Sequence, residues 1–119
     1  MKQILLIDDN VTQLGVREAI LRASGFDVAF AASAESAVAL LRSAPLQFGL
    51  IISDHFLTGV TGVDVVRQVR SFLPLIPIII ISGMPNLEPE YEGLNVIVRQ
   101  KPIPPPDLIA LASSQFRAA

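Results

Sequence analysis

Five side chains of this 119-residue sequence stand at or just beyond the ends of apolar runs. Asp8 and Asp9 follow Ile4-Leu5-Leu6-Ile7, Asp54 follows Leu50-Ile51-Ile52-Ser53, Ser82 follows Ile78 to Ile81, and Lys101 comes just after Val96-Ile97-Val98. Three carboxylates gathered in one place repel: at about 4 Å and an effective dielectric near 20, each pair costs on the order of 4 kcal/mol. Such a cluster persists when a cation occupies it or when it does chemistry. Hard oxygen donors with an incomplete shell suit Mg²⁺, which keeps several waters and shares itself with phosphate. A carboxylate beside that ion can attack phosphorus and form an aspartyl phosphate. An ammonium and a hydroxyl can then neutralise the phosphoryl oxygens.

The elements that would bring these residues together alternate in period. Continuous apolar runs such as 4–7, 49–53 and 78–81 fit strands buried on both faces. Phe26 to Ala32 and Val96 to Val98 read as two further strands. Between them lie helical stretches: Val11 to about Ser24 before Gly25, an Ala/Leu-rich stretch capped by Ser33 and ending before Pro45, Val63 to about Phe72, and a last helix after Pro105. The stretch 84–93 carries Pro85 and Pro89, so a helix there is short or irregular. Five β-then-α units predict a (βα)₅ doubly wound domain with a five-stranded parallel sheet of order 2-1-3-4-5, spanning 1–119 as one domain. Sites in such sheets form outside the carboxyl ends of the strands, where all five residues fall.

Composition narrows the function. Charged residues are 17% and hydrophobic residues 51%, which excludes a disordered tail. A chain of this length buries about two-thirds of its unfolded surface and needs no staple. With no Cys and one His, thiol nucleophiles, disulfides and multi-Cys or multi-His metal sites are excluded. The net charge of -2 argues against direct nucleic-acid binding. No apolar run is long enough to span a bilayer, and no signal stretch opens the chain, so a cytoplasmic location is expected. No Gly-rich phosphate loop follows the first strand, which argues against nucleotide binding.

Taken in order, Asp8-Asp9-Asn10, Ser53-Asp54, Gly59-Val60-Thr61-Gly62, Ser82-Gly83 and Lys101-Pro102 resemble the response-regulator receiver domain of two-component signalling, over the whole chain. The resemblance implies a flavodoxin-like fold and Asp54 as phospho-acceptor. It implies Mg²⁺ held by Asp9, Asp54 and the backbone carbonyl of Phe56, with Asp8 acting mainly through water. Ser82 and Lys101 would contact the phosphoryl group, and the Lys101–Pro102 peptide would be cis. The donor would be a histidine kinase or a histidine phosphotransfer domain. The domain would not be a general enzyme. A receiver-like scaffold that works without phosphorylation is the rival reading.

Several positions depart from the family. Val98 replaces the usual aromatic, and Thr58 replaces a proline in the loop after the acceptor. Phe56 and Met84 stand where the family sets its rate of dephosphorylation. Both are apolar, which predicts slow loss of the phosphoryl group. The short, proline-broken segment before Lys101 disfavours the standard dimer, so a homodimer is expected to be weak at most. Read singly, Asp8-Asp9 is also a helix cap, Asp54 or Ser82 a turn residue, and His55 a partly exposed polar residue. The glutamates at 88, 90 and 92 read as a solvated loop. Phe26, Phe30, Phe48 and Phe72 read as core.

Overall fold

The computed structural model describes residues 2–118. Strands β1 (Gln3–Ile7), β2 (Val28–Ala31), β3 (Phe48–Asp54), β6 (Ile78–Ser82) and β7 (Ile97–Gln100) form one sheet of order β2-β1-β3-β6-β7. All its pairings are parallel. In terms of the five sheet strands this is the order 2-1-3-4-5 expected from the sequence. Helices α1 (Val11–Ala23), α2 (Ala34–Ser43), α3 (Gly62–Phe72) and α4 (Pro105–Gln115) cover its faces.

Alternation along β1 shows the two-sided burial. Ile4 and Leu6 pack with Leu14 and Leu21 of α1 and Leu108 and Ala112 of α4. Leu5 and Ile7 pack with Ala37, Val38 and Leu41 of α2 and Val65, Val66 and Val69 of α3. Every residue of β3 and β6 is buried, which accounts for their unbroken apolar sequences.

One element differs from the sequence-based expectation. The loop after β3 contains a small antiparallel hairpin, β4 (Phe56–Leu57) and β5 (Val60–Thr61). Gly59 supplies its positive φ of 79°. The segment after β6 is short and irregular, as its prolines predict: it forms only a 3₁₀ turn, Glu88–Tyr91, with Pro89 near its start. Phe30 is a correction: it is 55% exposed, because it lies on the edge strand β2 with a neighbour on one side only. Phe48 is in the core, while Phe26 and Phe72 are partly buried.

The register aligns the carboxyl ends. Ile7 stands opposite Ser53, Asp54 opposite Ile81, and Ser82 opposite Gln100. Asp8, Asp54, Ser82 and Lys101 therefore leave the sheet along one edge.

Candidate functional site: an acidic pocket at the strand ends

Asp54 closes β3 and is buried. Its Oδ1 accepts from the His55 amide at 3.0 Å and pairs with Lys101 Nζ at 3.3 Å. Its Oδ2 accepts no hydrogen bond among the described residues. Burial pushes the Asp54 carboxyl above its ordinary pKa; the Lys101 ammonium opposes this, the Asp8 charge reinforces it, and Arg17 opposes it weakly.

Lys101 follows β7, and its peptide bond to Pro102 is cis, as the resemblance implies. Its amide donates to the Ser82 carbonyl at 2.8 Å, which ties the turn to β6. Its Nζ also donates to Gln13 Oε1 at 2.8 Å. Ser82 is buried, and its Oγ accepts from the Met84 amide at 3.1 Å.

Asp8 is fully buried at 0% exposure and pairs with Arg17 Nη1 at 2.8 Å. Its Oδ1 accepts from the Asn10 amide at 2.9 Å. Asn10 in turn caps α1 by accepting from the Gln13 amide. Asp9 is exposed and accepts from Thr58 Oγ1 at 2.6 Å, a bond that a proline at position 58 could not make.

The five residues thus share one edge, and Lys101 and Asp54 touch directly. Asp8, Asp9 and Ser82 each bond to a residue outside the five. Among the described residues, no three His, Asp or Glu side chains are gathered so as to hold a metal ion. Arg17 and Lys101 supply the counter-charges instead. The donor chemistry still fits a hard dication: the acids are all carboxylates, from adjacent strand ends, and the Asp8 charge is felt at Asp54. Both Asp8 oxygens are engaged, by Arg17 and the Asn10 amide, whereas Asp9 bonds through Oδ2 alone among the described residues.

His55 also corrects the sequence reading. It is 2% exposed, and its Nδ1 lies 2.7 Å from the Tyr91 hydroxyl. The glutamates at 88, 90 and 92 are exposed, as expected. Gln13, Arg17 and Tyr91 were not singled out in the sequence. Gln13 and Arg17 are four apart on α1 and flank buried Leu14, a spacing that places polar groups beside an apolar stripe.

A family model of the response regulator receiver domain matches residues 4–112. The chain belongs to the response-regulator receiver family. This receiver domain resembles the transcriptional regulatory protein ZraR of Salmonella typhimurium, with 30% identity over 92 residues, 77% of this chain and 20% of the relative. It also resembles the DNA-binding response regulator MtrA of Mycobacterium leprae, with 27% identity over 119 residues, 98% of this chain and 52% of the relative. The chain therefore spans between one-fifth and about half of these curated relatives. Among solved structures, a receiver domain protein from Methanospirillum hungatei superposes with a TM-score of 0.87 at 25% identity, covering 96% of this chain and 92% of that one. The receiver domain of the hybrid histidine kinase CckA gives 0.82 at 29%, covering 97% and 99%. Receiver domains of this family serve bacterial two-component signalling and are generally signalling domains rather than catalysts. No helix among the described residues is long and apolar enough to cross a membrane.

Proposed function

We propose that this receiver accepts a phosphoryl group on Asp54 from a phosphohistidine of a partner kinase or phosphotransfer protein, in the cytoplasm. The observation that carries the reading is the Lys101–Asp54 pair of 3.3 Å beside two further carboxylates at one sheet edge.

Asp54 attacks through Oδ2, whose lone pairs are free of protein donors. The P–N bond to the donor imidazole breaks as the P–O bond to Asp54 forms, and the imidazole keeps the electron pair. The His55 amide and Lys101 hold Oδ1 and so fix the plane of the attacking carboxylate. Lys101 then places its ammonium against the incoming phosphoryl oxygens. Ser82 donates its hydroxyl to the same oxygens once it turns from the Met84 amide. Asp9, Asp54 and the carbonyl of Phe56 would hold Mg²⁺, with Asp8 acting through water; the ion would neutralise charge on the transferring group.

Val11, Phe56 and Met84 are exposed apolar residues in or beside the turns around the site. They give a partner protein an apolar rim to dock on. The net charge of -2 does not favour direct binding of nucleic acid; DNA binding belongs to the longer relative MtrA. A homodimer through the shortened 3₁₀ segment would be weak.

Binding of beryllofluoride, a phosphoryl mimic, separates this reading from a scaffold that ignores phosphorylation. Amide NMR shifts around Asp54, Ser82 and Lys101 that need both Mg²⁺ and the mimic are expected. Unchanged spectra in protein that binds Mg²⁺ would favour the scaffold.

A further inference from the structure

A wholly buried carboxylate needs a partner for its charge, and Asp8 has found one inside the chain. Arg17 Nη1 meets Asp8 Oδ2 at 2.8 Å, and the Arg17 side chain is only 14% exposed. Arg17 Nη2 also donates to Gln13 Oε1 at 3.4 Å. The same Gln13 oxygen accepts from Lys101 Nζ at 2.8 Å. A continuous line of contacts therefore runs from Asp8 through Arg17, Gln13 and Lys101 to Asp54.

We propose that Arg17 is the resident counter-ion of Asp8 and that a divalent cation enters the pocket only by displacing it, so that Arg17 sets the metal affinity of this receiver. The inference rests on the metal-assisted reading above. Its physical basis is competition. With Arg17 seated, a second cation meets a carboxylate already neutralised and a guanidinium charge close by. The paired population is therefore not competent for metal, and apparent affinity falls by the competent fraction. The rigid guanidinium fork fits a carboxylate and stays charged at any working pH.

The Arg17 contact acts on metal through Asp8, so the test reads metal rather than phosphorylation. MgCl₂ is titrated calorimetrically at constant, high ionic strength into wild type, Arg17→Met, Arg17→Gln, Arg17→Lys and Asp9→Asn. Arg17→Met is expected to bind Mg²⁺ about tenfold more tightly, equivalent to a competent fraction of about one-tenth in wild type. Its melting temperature should also rise more on adding Mg²⁺. Arg17→Gln keeps a donor for Asp8 without the charge; it should show the same direction and serves if the Met variant does not fold. Arg17→Lys should return affinity toward wild type. A folded Met or Gln variant that binds Mg²⁺ no better than wild type overturns the role of Arg17 while the metal site stands. Absence of binding in every variant, or full binding in Asp9→Asn, overturns the metal reading and this inference with it.

Discussion

His55 Nδ1 and the Tyr91 hydroxyl lie 2.7 Å apart, and both residues are buried, at 2% and 3% exposure. The bond links the residue next to Asp54 with the 3₁₀ turn that stands in place of a full helix. Gly62 makes room for it: a Cβ there would run into the Tyr91 hydroxyl. The His55 ring also meets Phe56 edge-on at 4.7 Å. Position 98 is Val, and this buried pair joins the acceptor loop to the β6–β7 segment.

Tyr91→Phe keeps the ring and removes the hydroxyl. It leaves a buried imidazole nitrogen without its partner, so the fold should lose about 1–3 kcal/mol in denaturant unfolding. An unchanged midpoint would mean that water replaces the hydroxyl.

Burial pushes the Tyr91 pKa up, and the Glu90, Asp54 and Asp64 charges push the same way. The unfolded chain releases this proton near pH 10, while the folded chain keeps it. The unfolded state thus binds fewer protons, and stability falls as pH rises above about 10. Because Tyr91 is the sole tyrosine, Tyr91→Phe should make that alkaline decline markedly shallower in pH-dependent thermal unfolding.

Arg70 on α3 ties the α3–β6 loop to the segment before β7 with hydrogen bonds. Its guanidinium donates to the carbonyls of Leu73, Ile76, Leu94 and Asn95 at 2.7–3.0 Å. Arg70→Met should cost about 2–4 kcal/mol, since several carbonyls lose their donor together. Amides around Leu94 should exchange faster with solvent. Arg70→Lys should recover only part of the loss, because one ammonium cannot reproduce the fork.

Phe56 and Met84 are exposed beside the acceptor and have no group that can orient water. Phosphorylated protein, followed by intact mass with Mg²⁺ present, should therefore persist for minutes or longer. Phe56→Asn, which can position a water, should shorten the lifetime by about tenfold or more. A wild-type lifetime of seconds would contradict this.

The sheet was legible because β1, β3 and β6 are buried on both faces and so read as unbroken apolar runs ending in Asp8, Asp54 and Ser82. Lys101 was legible from its place after a strand and before proline. The two-residue strands β4 and β5 were not, since they are too short to show alternation and Thr58-Gly59 reads as loop. His55 looked exposed because its partner lies 36 residues away and only tertiary packing joins them. Arg17 sits nine residues from Asp8; the helix cap at Asn10 turns α1 so that they meet, which no local pattern announces. Phe30 misled because the strand pattern gives no sign of an edge position.

The central claim is that Asp54 is a phospho-acceptor, and intact mass tests it most directly. The protein is incubated with a small phosphodonor, with and without Mg²⁺, as wild type and as Asp54→Ala. One Mg²⁺-dependent phosphoryl addition, absent from the variant, is the predicted result. A folded wild-type protein that binds Mg²⁺ and gains no mass, or a variant that gains the same mass, would contradict the account.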